Sequence, residues 1–554
     1  MNLINILFKY FYKEEKFNII LSVILSLLTN IFKINIISYI TSNIISSIQK
    51  NNIKYAYDYY KYLIIVIIFF IILCYYTKKI NNILIIKIRN WTRLFILKNI
   101  YYNSNENLLN INYTNLNSPI FRFTSVTHYL LMMILNKVIP NISLILVIFL
   151  FFIYKNYKIG LIFFIGNIIF ILYLYYNTIK LIEEYNIFEK KVVHNETIIS
   201  ENLNNFNKII LRGKKNDELN ILDNNTKEIY KIGSNFYKIL NNTLLSSDII
   251  IYSLLLIIIG YLIYLYSKKK ISNIIFITFI TILLLYRDLI LTSIDVLPNL
   301  IEAISRGIVV ATIFDKKLFY NLYNNTEKKI YKPNNIEFNN IEFNNIHFKY
   351  ESESDKLFDN LNLKINTENK IIGLTGLSGN GKSTIIKLLL KLYPYEGTIL
   401  IDNINVKEID TNYLRKSILY VDQSANLFDK KIIENINYGV DSKNDAILSK
   451  QYYNEIMKYS TIKKLYGDIN FENKNAGFNG GNLSGGQRQV INLINGLITQ
   501  SIITVLDEPT NALDHALKKD VIQIIKDFKK YNKCIIIITH DKDLHEIFDE
   551  TIVI

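Results

Sequence analysis

Residues 370 to 393 read "KIIGLTGLSGNGKSTIIKLLLKLY". The order is an apolar strand, a Gly-rich turn and an apolar helix. The turn, Gly376 to Ser383, has the spacing G-x-x-x-x-G-K-[ST]. Glycines at those places let the backbone curl until several N–H groups converge on one anion, and the helix that follows adds its positive end. Gly376, Leu377, Ser378, Gly379, Asn380, Gly381, Lys382, Ser383 and Thr384 are therefore expected to wrap the phosphates of a nucleotide. Lys382 brings charge to the β- and γ-phosphates, and Ser383 offers a hydroxyl to Mg²⁺. A purely structural turn is the weaker reading, because strand and helix flank the loop in the order a phosphate site needs.

Two further strand ends supply the chemistry such a loop requires. "SIITVLDEPTNALD" (501–514) is an apolar strand that ends in two carboxylates. Alone, that pair reads equally well as a solvated turn. Beside a phosphate loop it places Asp507 at the metal and Glu508 at the attacking water. "NKCIIIITH" (532–540) is another buried strand, and it delivers His540 to the same edge. A lone His is usually structural, but here it is a candidate sensor of the γ-phosphate.

A second Gly-rich turn lies in "NAGFNGGNLSGGQ" (475–487). With it the half from about Asn335 to the end resembles the nucleotide-binding domain of ATP-binding-cassette (ABC) transporters, whose signature matches Leu483 to Gln487. Other landmarks stand in family order. Tyr350 precedes the phosphate loop, where the resemblance implies an aromatic stacked on adenine. Gln423 lies in "LYVDQSANLF", which implies a contact to Mg²⁺ and to the membrane domain. "NALD" (Asn511 to Asp514) implies a loop crossing a dimer interface. In this family two ATPs lie between two cassettes. The resemblance therefore implies that Ser484, Gly485, Gly486 and Gln487 of one copy close on the phosphate loop of another, making a homodimer or a heterodimer with a similar half. It also implies Glu508, His540, Lys382 and Gln423 as the catalytic group. Ser383, Gln423 and Asp507 are implied at the metal.

There are two departures from the family pattern. Phe478 stands where exporters carry a Glu, five residues before the signature Leu. The chain ends at "ETIVI", where family members usually continue with a strand-turn and a helix.

The remainder of the chain has another texture. Of 554 residues, 50% are hydrophobic, and these crowd into the first 300 or so. About six runs satisfy the ~20-residue length of a membrane-spanning helix. They lie near 17–45, 62–76, 138–154, 159–176, 249–266 and 271–291. The second and fourth continue into polar helical sequence beyond the bilayer, so the loops after them are long. Leu3 to Tyr12 mixes apolar residues with Lys and Asn and suits a segment lying along the interface before the first span. Lys78, Lys79, Lys137, Lys180 and Lys238 flank the long loops and favour a cytoplasmic side for them, although the short loops also carry Lys. The ATPase domain must meet cytoplasmic ATP on that same side. By topology this half resembles the exporter-type ABC fold, which implies coupling helices near 115–121 and 209–218.

The expected architecture is thus an all-α polytopic membrane domain of about six transmembrane helices (1–325), followed by an α/β P-loop ATPase domain (326–554). It is an integral, multi-pass protein using ATP and Mg²⁺. The net charge of +15 comes from scattered Lys that flank apolar runs, not from a basic face with aromatic partners, so no nucleic-acid partner is expected. Cys74 and Cys534 lie in apolar runs and imply no disulfide or metal site. Nor is a cleavable signal or transit peptide evident at the start. Lys33, Arg287 and Asp288 interrupt spans. They read either as the lining of a cargo cavity or as side chains that snorkel or pair. No peptidase domain precedes the spans, which disfavours peptide exporters that process their cargo. The expected activity is ATP-driven export of a lipid, drug-like or peptide cargo. An importer of the same fold and an ATP-gated channel are the alternatives.

Overall fold

The computed structural model describes residues 3–103, 117–312, 336–350, 355–377, 379–424, 426–440, 443–466 and 471–554. They form two compact units, a helical one ending at Thr312 and an α/β one beginning at Ile336. The expected boundary at 325/326 lies outside the described residues.

The helical unit consists of α1 (Leu3–Asn30), α2 (Ile37–Gln49), α3 (Ile53–Asn103), α4 (Asn117–Met133), α5 (Ile139–Lys155), α6 (Tyr157–Asn204), α7 (Phe206–Leu211), α8 (Lys215–Ser267), α9 (Asn273–Ile294) and α10 (Leu297–Ala311). One π-helical turn, Ile31–Ile36, joins α1 to α2, and another, Ile134–Val138, joins α4 to α5. The second falls just before Pro140, whose missing N–H removes a rung of the helical ladder. Six of the resulting helices are long and apolar enough to cross a membrane. Asn156 opens α6 by accepting the N–H groups of Lys158 and Ile159, and Ser272 opens α9 through Ile275 N.

The long connections after the second and fourth spans are themselves largely helical. Helix α3 runs on to Asn103 and α6 to Asn204. The opening segment, expected along the interface, packs against other helices. Leu3–Tyr12 belongs to α1, and Ile4, Ile6, Leu7 and Phe11 are buried. Phe11 packs with Leu84, Ile88 and Leu131, so its apolar face is spent on α3 and α4. The helix breaks at Glu15, whose backbone leaves the helical region. Polar side chains tie the spans together. Asn30 donates to Pro140 O at 2.8 Å, and the Tyr286 hydroxyl donates to Asn167 Oδ1 at 2.8 Å.

The α/β unit holds two sheets. The antiparallel one has the order β2 (Phe358–Asn366), β1 (Asn340–Phe348), β4 (Glu396–Ile401), β5 (Ile404–Asn405). The parallel one has the order β6 (Ile418–Val421), β7 (Ile503–Asp507), β8 (Cys534–Ile538), β3 (Lys370–Thr375), β9 (Glu550–Val553). The stretch before the phosphate loop contributes the single strand β1. Asn345, with φ of 54°, interrupts its pairing with both neighbours.

The parallel strands are buried on both faces, which is why they read as continuous Ile and Val. Around them lie α11 (Lys382–Leu389), α12 (Thr411–Ser417), α13 (Ile432–Ile436), α14 (Lys443–Ile456), α15 (Ser460–Tyr466), α16 (Gly485–Ile498) and α17 (His515–Phe528). One core joins α11 to the face of the sheet carrying Val505 and Ile536, and the other joins α16 and α17 to the face carrying Leu506 and Ile537.

Candidate nucleotide site

Strands β3, β7 and β8 are neighbours in the parallel sheet, so their C-terminal ends share one edge. Ligands of open α/β sheets bind at that edge. It carries the phosphate loop from β3, Asp507 and Glu508 from β7, and His540 just beyond β8.

The loop leaves β3 at Thr375 and enters α11 at Lys382. Gly381 has φ of 87°, and a Cβ there would run into the Phe358 ring. Only glycine fits both demands, and the bare backbone is what lets an anion approach. Lys382 is buried and folds over its own loop, donating from Nζ to Gly376 O at 3.0 Å and Leu377 O at 2.8 Å. Ser378 lies outside the described residues. Asn380 donates from its amide to Ile554 O at 2.9 Å.

Asp507 is held by a residue that the motif reading passed over. The Tyr420 hydroxyl donates to Asp507 Oδ2 at 2.6 Å. The geometry follows from strand alternation. Tyr420 pairs with Val505 across β6 and β7, and Asp507, two residues further on, shares that face. Helix α11 packs over the same face, with Ser383 in its first turn. Burial, and then the bond to Asp507, pushes the Tyr420 phenol far above its ordinary range, so it remains a donor.

A hydroxyl beside a carboxylate is a hard-oxygen donor set that suits Mg²⁺, which takes one or two protein ligands and completes its shell with phosphates and water. Among the described residues no group of three or more His, Cys, Asp or Glu forms a protein-only metal cage. Gln423, the third expected metal residue, is exposed and lines a cleft of about 380 Å³ with Gly485, Gln489 and Asn511.

Glu508 is buried and has φ of 49°, a strained value for a residue with a side chain. Four bonds hold it there. Its N–H donates to Ile538 O at 2.9 Å, and its carbonyl accepts Gln489 Nε2 at 2.6 Å. Thr539 Oγ1 donates to Oε2 at 3.2 Å, and His540 Nδ1 lies 2.7 Å from Oε1. The expected pair is thus in direct contact. Thr539 and Gln489 are further members, and the first was visible in the quoted strand as the residue before His540. Beyond His540, Asp541 is bonded by Lys518 and Thr510. Burial alone raises its carboxyl, but those donors and the Asp543 N–H outweigh it and hold the group below the usual range.

The remaining expected residues have local partners. Tyr350 bonds Thr384 Oγ1 at 2.7 Å, and its ring meets Phe348 edge-on. The signature turn makes a capping box. Ser484 Oγ accepts Gln487 N at 3.2 Å, and Gln487 Oε1 accepts Ser484 N at 2.9 Å. Ser484 and Gly485 are exposed at the start of α16. Asp514 caps α17 through Leu517 N. Phe478 is 81% exposed, in a short 3-10 turn between Gly477 and Gly481.

In the helical unit, Arg287 pairs with its neighbour Asp288 at 2.8 Å, as the pairing alternative expected. Lys33 is half-buried in the first π turn. Charge gathers instead in a cavity of about 770 Å³ between α4, α6 and α10, lined by Arg122, Glu189, Glu196, Glu302 and Arg306. Of the expected coupling helices, the second overlaps α7, and the first begins outside the described residues.

Residues 358–511 match the family model described as ABC transporter. Among curated relatives, an export ATP-binding/permease protein of Rickettsia typhi is 36% identical over 252 residues, covering 44% of this chain and 41% of that protein. The ATP-dependent lipid A-core flippase of Idiomarina loihiensis is 33% identical over 211 residues, 37% of this chain and 35% of the flippase. The matched stretches thus span about two fifths or less of these relatives' length. A solved bacterial Atm1-family ABC exporter with ATP bound superposes with a TM-score of 0.76. It covers 97% of this chain and 93% of its own at 18% identity, a likeness of fold.

A parallel-sheet P-loop domain with a signature turn, fused behind six membrane-length helices, defines a cassette-bearing membrane protein. The stretch 358–511 carries an ABC transporter domain, the chain has the fold of the ABC exporter structure, and its six membrane-length helices make it a multi-pass membrane protein.

Proposed function

We propose that the chain is one half of an ATP-driven transporter that exports its cargo by alternating access. The observation that carries this reading is the Glu508–His540 pair at the mouth of the phosphate loop, in a chain that also holds a full set of membrane-length helices. The loop amides and Lys382 bind the phosphates. Ser383, Asp507 and Gln423 would hold Mg²⁺, which would supply positive charge against the β- and γ-phosphates. Glu508 takes the proton of the attacking water, and His540 steadies the γ-phosphate.

The signature turn works in trans. Ser484 and Gly485 are exposed at a helix start, and a second copy supplies the phosphate loop they close upon. The apolar stretch of α3 buries none of its residues within the chain, which suits contact with lipid or a second copy. The cassette faces the cytoplasm, where ATP is.

The test is reconstitution in vesicles. ATP hydrolysis that Glu508→Gln abolishes, with ATP-dependent movement of solute away from the cassette side, supports the reading. Movement toward the cassette side makes the chain an importer. Ion conductance that persists in Glu508→Gln with ATP bound makes it a channel.

A further inference from the structure

Tyr420 touches the carboxylate assigned to the cation, and neither the motif reading nor the nucleotide chemistry requires it. We infer that Tyr420 is a positioning residue which sets the affinity of the nucleotide site for its divalent cation by fixing the Asp507 carboxylate. This rests on the functional reading above.

The 2.6 Å bond to Oδ2 stops rotation of the Asp507 carboxylate, so its second oxygen is held at one angle. One side chain from β6 therefore fixes a ligand at the end of β7. Without it, the carboxylate would have to be ordered when the cation arrives, and affinity would fall by that ordering cost. Partners of this kind, one bond removed from the ion, typically change metal affinity ~10–100-fold. The ring itself is half-buried in the core beneath α11, so Tyr420→Phe removes the hydroxyl while keeping the packing.

The experiment uses the full-length protein in the Glu508→Gln background, where ATP is not turned over. Mn²⁺ binding is titrated by electron paramagnetic resonance with ATP present, and ATP binding is measured separately in EDTA. Tyr420→Phe is expected to raise the Mn²⁺ dissociation constant about 10-fold or more and to leave ATP affinity in EDTA unchanged. In the active background the Mg²⁺ concentration for half-maximal hydrolysis rises by a like factor, while kcat at saturating Mg²⁺ stays near wild type. An unchanged or tighter Mn²⁺ dissociation constant overturns the inference, the second by showing that the phenol competes with the cation. Equal loss of ATP binding in EDTA also overturns it, because the side chain then supports the pocket and not the ion. If the parent protein takes up no Mn²⁺ with ATP, the functional reading falls first and this inference falls with it.

Discussion

His540 Nδ1 lies 2.7 Å from Glu508 Oε1, joining a residue two positions beyond β8 to the first residue after β7. The contact exists because β7 and β8 run parallel in register, Asp507 opposite Ile538. A buried carboxylate with a strained backbone is thereby held in one orientation. His540→Ala should lower kcat for ATP hydrolysis by ~10²–10⁴-fold and change ATP affinity only a few-fold. Steady-state hydrolysis together with nucleotide binding separates the two effects. An equal loss in both would make the histidine part of the binding pocket.

Gly381→Ala should disable the loop. The new methyl group meets the Phe358 ring, and the positive φ adds strain of ~1–3 kcal/mol. ATP binding, measured by equilibrium dialysis, should become undetectable while the helical unit remains folded by circular dichroism.

Asp541 provides a pH signature. Its folded carboxyl titrates below the unfolded value of ~3.9, so its contribution to stability is complete above that value and is lost as pH falls through the folded one. Wild type should melt above Asp541→Asn at pH 7, and the gap should narrow as pH falls below about 4. Melting temperatures at stepped pH check this, and a gap constant across the range would mean that Asp541 is not the linked group.

Tyr286→Phe should cost ~1–3 kcal/mol, because it leaves the Asn167 side chain buried without its donor. Thermal unfolding in detergent measures it. Asn167→Leu in the same background should recover part of the loss.

Phe478→Glu should leave stability within about ±0.5 kcal/mol, since the ring is 81% exposed. Any effect on transport with melting unchanged would then belong to an interaction outside the cassette.

Much of the α/β unit was legible in the sequence. Its parallel strands are near-unbroken Ile and Val, and its glycines sit where the backbone turns, so strand, loop and helix announce themselves locally. The number of membrane helices was legible for the same reason, because length and apolarity are properties of a single segment. What the first segment packs against was not legible, because Lys9 and Lys13 interrupt its apolar run. Whether Ile4 and Phe11 face lipid or other helices depends on α3 and α4, which lie far along the chain.

The sequence by itself determined the strand, glycine turn and helix of the candidate phosphate loop, because that loop is a contiguous stretch whose spacing encodes its shape. Only the tertiary structure decided which side chains share a site. Tyr420 and Asp507 are 87 positions apart, yet they meet on one face of adjacent strands. Arg122, Glu189 and Arg306 come from three helices and line one cavity. Such pairings are set by strand order and helix packing, which bring together groups that no local pattern links.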